Sequence, residues 1–260
     1  MLIDTNAWLG SFPFRSLRDN TPDTLVARMD RSGIDKAAVS QIEAIFHRNV
    51  QPANEKLTKD LEGHTDRLIP MATINPAYEK WEDDLKACHE TLGMKGVRLF
   101  PVYHNYAVDG SEAKAALEAC KERGLPAFIP ARMEDPRQRN WMDPGQLVDA
   151  KGVAELMKAV PDATVVVSNL RYGFSRLPMW HDEEVRDKPW FVDFSLAEFH
   201  NDLGPLSEAR GGSHLVFGTH VPFSYPGAAL VKLAQVTEKV DDEAREAITH
   251  GNAERILGMA

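Results

Sequence analysis

Eight short apolar segments alternate with helical patterns along this chain of 260 residues, and this alternation restricts its fold more than any other feature. Strands that alternate with helices indicate a parallel sheet with right-handed crossovers. Eight such units in a chain of this length favour a closed (β/α)8 TIM barrel over an open doubly wound sheet. The predicted strands are residues 2–8, of which the end is polar, 36–42, 68–74, 96–100, 126–132, 163–168, 190–194 and 215–218. The predicted helices lie near residues 21–29, 52–63, 81–92, 113–120, 153–160, 227–239 and 242–257.

The composition predicts a single domain over residues 1–260, because no change along the chain marks a linker. The net charge of −9 and a pI near 5.5 argue against nucleic acid or an anionic membrane surface as the partner. No glycine-rich phosphate-binding motif follows a predicted strand, so we expect no nucleotide and no other cofactor. The sequence leaves the oligomeric state open, and assembly into a homo-oligomer is compatible with it.

The expected compartment is the cytoplasm. The chain opens with Met1-Leu2-Ile3-Asp4, without a basic segment followed by an apolar core, and no apolar run has membrane-spanning length. Its two cysteines, Cys88 and Cys120, fall in helical patterns with apolar neighbours. A pair of cysteines without motif spacing indicates buried thiols in a reducing compartment.

Polar residues follow the apolar part of most predicted strands. The eighth strand is the clearest case, because Thr219 and His220 come directly after residues 215–218. In α/β proteins the carboxyl ends of the strands carry the chemistry, so these side chains are expected to converge on one site. The candidate site residues are Asn6, Trp8, Arg98, Arg132, Asn169, Arg171, Asp193 and His220.

Several short motifs, taken in order, resemble the amidohydrolase-related branch of the amidohydrolase superfamily. These motifs are Ile3-Asp4-Thr5, Asp66-Arg67-Leu68-Ile69-Pro70, Gly96-Val97-Arg98-Leu99, Gly124-Leu125-Pro126, Gly218-Thr219-His220-Val221-Pro222-Phe223 and Gly251-Asn252-Ala253-Glu254-Arg255-Ile256-Leu257-Gly258. The resemblance runs from end to end of the chain. It implies a (β/α)8 barrel and metal-dependent hydrolase or decarboxylase chemistry at the strand ends.

The chain departs from that family at the metal ligands. The resemblance implies a His-x-His pair, histidines on the fifth and sixth strands, and an aspartate on the eighth. The corresponding residues here are Asn6, Trp8, Pro130, Asn169 and His220. Amides are poor ligands for transition metals, and indole and proline offer no lone pair. A catalytic zinc needs about three protein ligands, so we expect the family's divalent metal to be absent.

The three arginines Arg98, Arg132 and Arg171 predict a small anionic ligand, because guanidinium binds carboxylate and phosphate with two parallel hydrogen bonds. The alternative is that some of them form structural ion pairs. The carboxylates available for such pairs are Asp4, Glu43, Glu134 and Asp193.

His220 is the candidate general base, because histidine exchanges protons near neutral pH without a large pKa shift. Asp193 on the neighbouring strand is expected to orient it. The alternative is that His220 forms a hydrogen bond with Asn6 or Asn169 inside an inert core. Trp8 would either stack on a flat ligand or fill the space that the metal occupies in the family.

Two classes of function follow from these residues. The first is a metal-independent hydrolase, or a lyase, for a small carboxylated substrate. The second is a non-catalytic barrel that binds a metabolite or a protein partner. The irregular segments 133–149 and 171–189 lie where they could cover the barrel mouth. His47, His104 and His181 are interpreted as surface or rim residues, and both cysteines as core residues rather than nucleophiles.

Overall fold

A computed structural model describes residues 1–170, 177–198 and 212–259 of the chain. Its strands are all parallel and follow the chain in order around a barrel. They are β1 (Ile3–Leu9), β2 (Lys36–Gln41), β3 (Leu68–Pro70), β4 (Ala72–Ile74), β5 (Val97–Leu99), β6 (Ala127–Pro130), β7 (Val165–Ser168), β8 (Trp190–Asp193) and β9 (Leu215–Val216). The predicted (β/α)8 barrel is confirmed.

One of the eight predicted strands is split in two. Residues 68–74 form β3 and β4 on either side of Met71, and β3 pairs with β2 whereas β4 pairs with β5. Pro70 has no N–H to donate, so the regular ladder stops there. The backbone N–H of Met71 continues the pairing by donating to the Val39 carbonyl at 2.8 Å. The barrel therefore keeps eight strand positions.

The barrel closes between its first and last strands. The Thr5 N–H donates to the Phe217 carbonyl at 2.9 Å, and the Trp8 N–H donates to the Val221 carbonyl at 2.8 Å. Ala7 and Val221 form a parallel bridge. These bonds satisfy the free edge of β1, as closure of a barrel requires.

The helices surround the barrel. They are α1 (Pro22–Ser32), α2 (Gln51–Asp60), α3 (Trp81–Lys86), α4 (Ser111–Glu122), α5 (Ala150–Ala159), α6 (Pro178–His181), α7 (Pro226–Thr237), α8 (Asp242–Glu246) and α9 (Asn252–Ile256). A π-helical turn, Ala87–Thr91, extends α3, and another, Ala247–Gly251, joins α8 to α9. None of the described helices is long and apolar enough to span a membrane.

The described residues form four apolar clusters, and the two that contain most of the strand residues meet at the strands. The larger part packs the outer faces of the strands against the helices, and it contains the thiols of Cys88 and Cys120, both buried as predicted. The smaller part fills the amino-terminal half of the barrel and includes Phe128 and Phe191, with Ile256 and Leu257 closing that end. At the carboxyl end, polar side chains lie beside a third cluster, which includes Trp8, Phe100 and Met133.

Candidate functional site

Most of the predicted site residues lie together at the carboxyl ends of the strands. Those of the described part of the chain are buried: Asn6, Trp8, Arg98, Asn169, Asp193 and His220 are at most 1% exposed, and Arg132 is 6% exposed. Arg171 lies outside the described residues. The polar interior is thus packed with side chains drawn from most of the strands.

Asn6 on β1 is the centre of a hydrogen-bond network. Its amide nitrogen donates to the Asn169 side-chain oxygen and to Asp193, both at 2.7 Å. Asn169 in turn donates to the Arg132 carbonyl at 2.7 Å. The Ser195 hydroxyl donates to the other oxygen of Asp193, also at 2.7 Å. We call Asn6, Trp8, Asn169, Asp193, Ser195 and His220 the central network.

Burial raises the pKa of Asp193, and the hydrogen bonds from Ser195, Asn169 and Asn6 oppose that rise. The spacing of Asp193 and Ser195 in the sequence is itself a signal for their contact. A serine two residues after an aspartate readily hydrogen-bonds to it, and here the Ser195 N–H also donates to Asp193 at 3.1 Å. Ser195 thus belongs to the site although it was not predicted.

His220 is held in one tautomer by its two neighbours. Its Nε2 lies 2.7 Å from the Met133 carbonyl, which can only accept, so Nε2 carries the proton. Its Nδ1 lies 3.2 Å from the Trp8 indole nitrogen, which can only donate, so Nδ1 is the acceptor. Burial, together with the charges of Arg98, Arg132 and Arg15, lowers the pKa of His220 to about 3, and the hydrogen bond to Met133 opposes this fall. The imidazole is therefore neutral at physiological pH, with both nitrogens occupied.

Asp193 and His220 do not contact each other directly. The hydrogen bonds of Asp193 go to Asn6, Ser195 and Asn169, whereas those of His220 go to Trp8 and Met133. The Trp8 indole also donates to the Asn6 oxygen at 3.0 Å. Asn6 and Trp8 thus stand between the predicted base and its predicted orienting carboxylate.

Arg98 binds backbone rather than solvent. Its guanidinium donates to the carbonyls of Thr5, Ala7 and Ala38 at 3.0–3.2 Å and lies 3.8 Å above the Trp8 ring. Burial lowers the pKa of Arg98 to about 9, against the attraction of nearby carboxylates. The side chain therefore ties β1 to β2, and an anion-binding role would require it to leave these carbonyls.

Asp4 joins the start of β1 to the end of the last strand. Its carboxylate accepts from the backbone N–H groups of Asn6 and Thr219 at 2.9 and 3.0 Å, and from the Thr219 hydroxyl at 2.5 Å. Burial raises the pKa of Asp4 to about 6, and these hydrogen bonds oppose the rise. Gly218 lets Asn6 and Asp193 lie close to the last strand, because a Cβ there would lie 2.9 Å from the Asn6 Cβ and 3.0 Å from the Asp193 Cβ.

The residues at these positions do not fit a divalent metal. Trp8 and Pro130 offer no lone pair, the side-chain oxygens of Asn6 and Asn169 accept hydrogen bonds, and His220 Nδ1 accepts from Trp8. Across residues 1–170, 177–198 and 212–259, no group of three or more histidines, cysteines, aspartates or glutamates could hold a metal ion. Asn6, Asn169 and His220 instead hydrogen-bond to protein groups.

The segment after β6 covers the central network. Met133 supplies the carbonyl that binds His220, and the next residue, Glu134, forms an ion pair with Arg15 at 2.9 Å. Arg15 also donates to the Phe223 carbonyl at 2.9 Å. These contacts join the segments that follow β1, β6 and β9 above the barrel axis. Residues 171–176 of the second irregular segment lie outside the described residues.

A separate cleft opens beside this network, above β2, β4 and β5. It has a volume of about 450 Å³, and we call it the side cleft. Its lining residues are Phe46, His47, Arg48, Asn75, Ala77, Tyr103, His104 and Asn105.

Of the three histidines interpreted as surface or rim residues, His104 lies at the rim, where it lines the side cleft. Its side chain lies in a turn after β5 and is only 8% exposed, whereas His47 and His181 are exposed as predicted. The Nε2 of His104 donates to the Ala44 carbonyl at 3.3 Å, and its Nδ1 is buried without a partner. The sequence shows a polar run in this turn but gives no periodicity from which its burial could be read.

Comparison with known proteins agrees with this architecture. A family model described as Amidohydrolase matches residues 7–259. A 2,6-dihydroxybenzoate decarboxylase from Rhizobium is 15% identical, with a TM-score of 0.75 over 99% of this chain and 98% of the other. A dihydroxybenzoic acid decarboxylase from Polaromonas sp. JS666, with bound manganese and 2-nitroresorcinol, is 16% identical, with a TM-score of 0.77 over 99% and 97% of the two chains.

A probable 2-pyrone-4,6-dicarboxylic acid hydrolase from Acinetobacter baumannii, with citric acid bound, has the same fold. It is 14% identical to this chain, with a TM-score of 0.66 over 99% of both chains. At such identities the likeness establishes the shared barrel, and the site itself must indicate what this chain does.

Proposed function

Because the chain belongs to the amidohydrolase family, we propose that it binds a small carboxylated molecule at the carboxyl end of the barrel, without the divalent metal. In this proposal the central network is a scaffold and not a reaction centre. Support for the ligand class comes from three proteins of the same fold, which are named for dihydroxybenzoate, dihydroxybenzoic acid and 2-pyrone-4,6-dicarboxylic acid.

The observation that carries the proposal is that both ring nitrogens of His220 already have hydrogen-bond partners in the protein. A general base must reach the proton that it removes, at about 2.6–3.2 Å or through one water. Both nitrogens of this imidazole bind protein groups, the residue is 1% exposed, and burial holds its pKa near 3. In this arrangement His220 stabilises the barrel and offers no lone pair to a substrate.

The second candidate function is metal-independent turnover of the same ligand, with His220 as the base. The fixed tautomer favours it, because the lone pair on Nδ1 is already directed along the hydrogen bond with Trp8. Displacement of the indole would free that lone pair without a proton transfer. Asp193 would then act through Asn6, since no direct contact joins it to His220.

Binding and metal content test the proposal together. The protein is purified without chelator and assayed by elemental analysis, then titrated calorimetrically with hydroxybenzoates, 2-pyrone-4,6-dicarboxylate and citrate. We expect less than one metal ion in ten chains, and carboxylate binding that is unchanged by EDTA or manganese and weakened by salt. Stoichiometric metal retained at the strand ends, or no binding by any of these carboxylates, would refute the proposal.

A turnover screen separates the two candidates. Wild type and His220→Gln are incubated with the same compounds and with their esters and lactones, and the products are followed by chromatography. The scaffold role predicts no turnover by either protein. Turnover by wild type that falls by about 10²–10⁴ in His220→Gln would establish the second candidate instead.

A further inference from the structure

We propose that a second cleft, at the rim of the barrel beside α1, binds a phosphate monoester. This cleft has a volume of about 300 Å³ and lies between the segment that follows β1 and the segment that follows β9. We call it the arginine cleft, and its charged residues and serines are Arg15, Ser16, Arg18, Asp19, Arg28 and Ser224. The proposal goes beyond the proposed function, because a phosphate site here and a carboxylate ligand of the barrel can each be true without the other.

Arg18 supplies an unpaired charge to the arginine cleft. Its side chain is exposed, and across residues 1–170, 177–198 and 212–259 its guanidinium makes no hydrogen bond or ion pair. The net charge of the protein is −9, so carboxylates are in excess, yet no described carboxylate pairs with this arginine. Five N–H donors and a full positive charge are therefore available to an anion.

Arg15 and Arg28 are held in position by protein groups. Arg15 donates through Nε to Glu134 and through Nη2 to the Phe223 carbonyl, both at 2.9 Å. Arg28 donates through Nε and Nη2 to one oxygen of Asp19, at 2.9 and 2.6 Å. Within the described part of the chain, the Nη1 group of each arginine makes no hydrogen bond. An anion in the cleft would thus meet donors whose side chains are already ordered, which lowers the entropy lost on binding.

The other polar groups of the arginine cleft also favour an oxyanion. The hydroxyls of Ser16 and Ser224 have no hydrogen-bond partner among the described residues, and a hydroxyl can donate to an anion. The carboxylate that lines the cleft, Asp19, is engaged, because one oxygen binds Arg28 and the other lies 4.0 Å from Arg31. The groups that remain for a ligand are therefore donors.

Three guanidinium groups at one cleft match a phosphate monoester better than a carboxylate. A phosphate monoester has three terminal oxygens and a charge of about −1.5 to −2 at pH 7, whereas a carboxylate has two oxygens and one charge. Guanidinium pairs with phosphate oxygens through charge-assisted hydrogen bonds. Val221, Pro222 and Phe223 form an apolar wall of the same cleft, which suits the organic part of the ester.

The test compares small anions that differ in charge and in the number of free oxygens. Wild-type protein is titrated calorimetrically, at low ionic strength, with methyl phosphate, dimethyl phosphate and acetate. At pH 8 we expect methyl phosphate to bind at least about tenfold more tightly than the other two, because it alone offers three oxygens and two charges. At pH 5, below the second pKa of the ester near 6, this preference should shrink to about threefold. Equal affinities at pH 8, or no binding of methyl phosphate, would overturn the proposal.

Arg18→Gln assigns the preference to the cleft. It should weaken methyl phosphate binding at pH 8 by at least about tenfold, since it removes the unpaired charge. The melting temperature should not change, because the described structure shows no contact for this guanidinium to lose. If the variant nevertheless fails to fold, the preference of the wild type for methyl phosphate over dimethyl phosphate still tests the proposal.

The matched control is Arg48→Gln. Arg48 is also exposed, makes no ion pair within the described part of the chain, and lines the side cleft instead. The substitution therefore makes the same change of charge elsewhere on the surface, and it should leave methyl phosphate binding unchanged. Affinity that is retained in Arg18→Gln, or lost equally in both variants, would show that phosphate responds to the overall charge of the protein and would overturn the assignment to the arginine cleft.

Discussion

Protonation of His220 is expected to oppose folding in acid, by an amount that its environment sets. Burial lowers the pKa of the folded imidazole from 6.5 to about 3. Below pH 6.5 the unfolded chain therefore binds a proton that the folded chain excludes, and stability falls as the pH falls towards 3. Between pH 7.5 and pH 4 this single group removes about 3 kcal/mol from the free energy of unfolding.

The wild-type protein alone does not isolate this loss, because His104, whose pKa burial lowers to about 4, acts in the same direction and Asp4 acts in the opposite one. Burial raises the pKa of its folded carboxyl from 3.8 to about 6, so folding favours its protonated form and stability rises on acidification. At pH 4 that gain is about 2 kcal/mol, which offsets most of the His220 effect. The experiment must therefore compare variants.

The variant is His220→Gln, which keeps an N–H near Met133 but does not titrate. At pH 7.5 it should be less stable than wild type by about 1–3 kcal/mol, because it loses the Trp8 hydrogen bond and the stacking on Phe223 at 4.8 Å. At pH 4 that deficit should disappear or reverse. Urea unfolding at half-unit pH steps measures the difference, with His47→Gln, which alters an exposed imidazole, as the control. Parallel stability curves for wild type and His220→Gln would refute the argument.

Three further substitutions test the packing around the network. Asp4→Asn should stabilise the protein by about 2–3 kcal/mol above pH 7 and by much less at pH 4, since the amide carries no buried charge. An equal change in the free energy of unfolding at both pH values, measured with urea, would contradict this. Arg98→Lys should lower the free energy of unfolding by about 2–4 kcal/mol, because an ammonium group cannot bind three carbonyls and stack on Trp8. An unchanged free energy of unfolding in urea would show that the guanidinium is dispensable. Gly218→Ala should lower the melting temperature, because its Cβ would press on Asn6; unchanged melting would mean that the strands can separate there.

The sequence predicted the barrel because the periodicity of apolar residues survives in all eight units. Its errors in the fold are small and local. Residues 68–74 read as one strand, and the break at Met71 depends on Pro70 and on pairing partners far along the chain. The first strand, Ile3–Leu9, lies within one residue of the predicted residues 2–8, and its polar side chains are buried.

The site was predicted less completely, for a different reason. The list of strand-end residues placed Asn6, Asn169, Asp193 and His220 together, since position at a strand end follows from topology. Which of them bond to each other does not follow from topology. The Met133 carbonyl is a backbone group that every residue type has, so the sequence cannot indicate its contact, yet it sets the tautomer of His220. The catalytic and anion-binding roles given to these residues stay predictions.

The closure of the barrel also constrains how the chain folds during its synthesis. Thr5 and Phe217, which hydrogen-bond to each other, are 212 residues apart. During synthesis one edge of β1 therefore stays unpaired until nearly the whole chain has left the ribosome. Contacts so distant in sequence slow folding and leave strand edges available to other molecules. Nascent chains halted before residue 215 should thus need chaperone protection that the released protein does not.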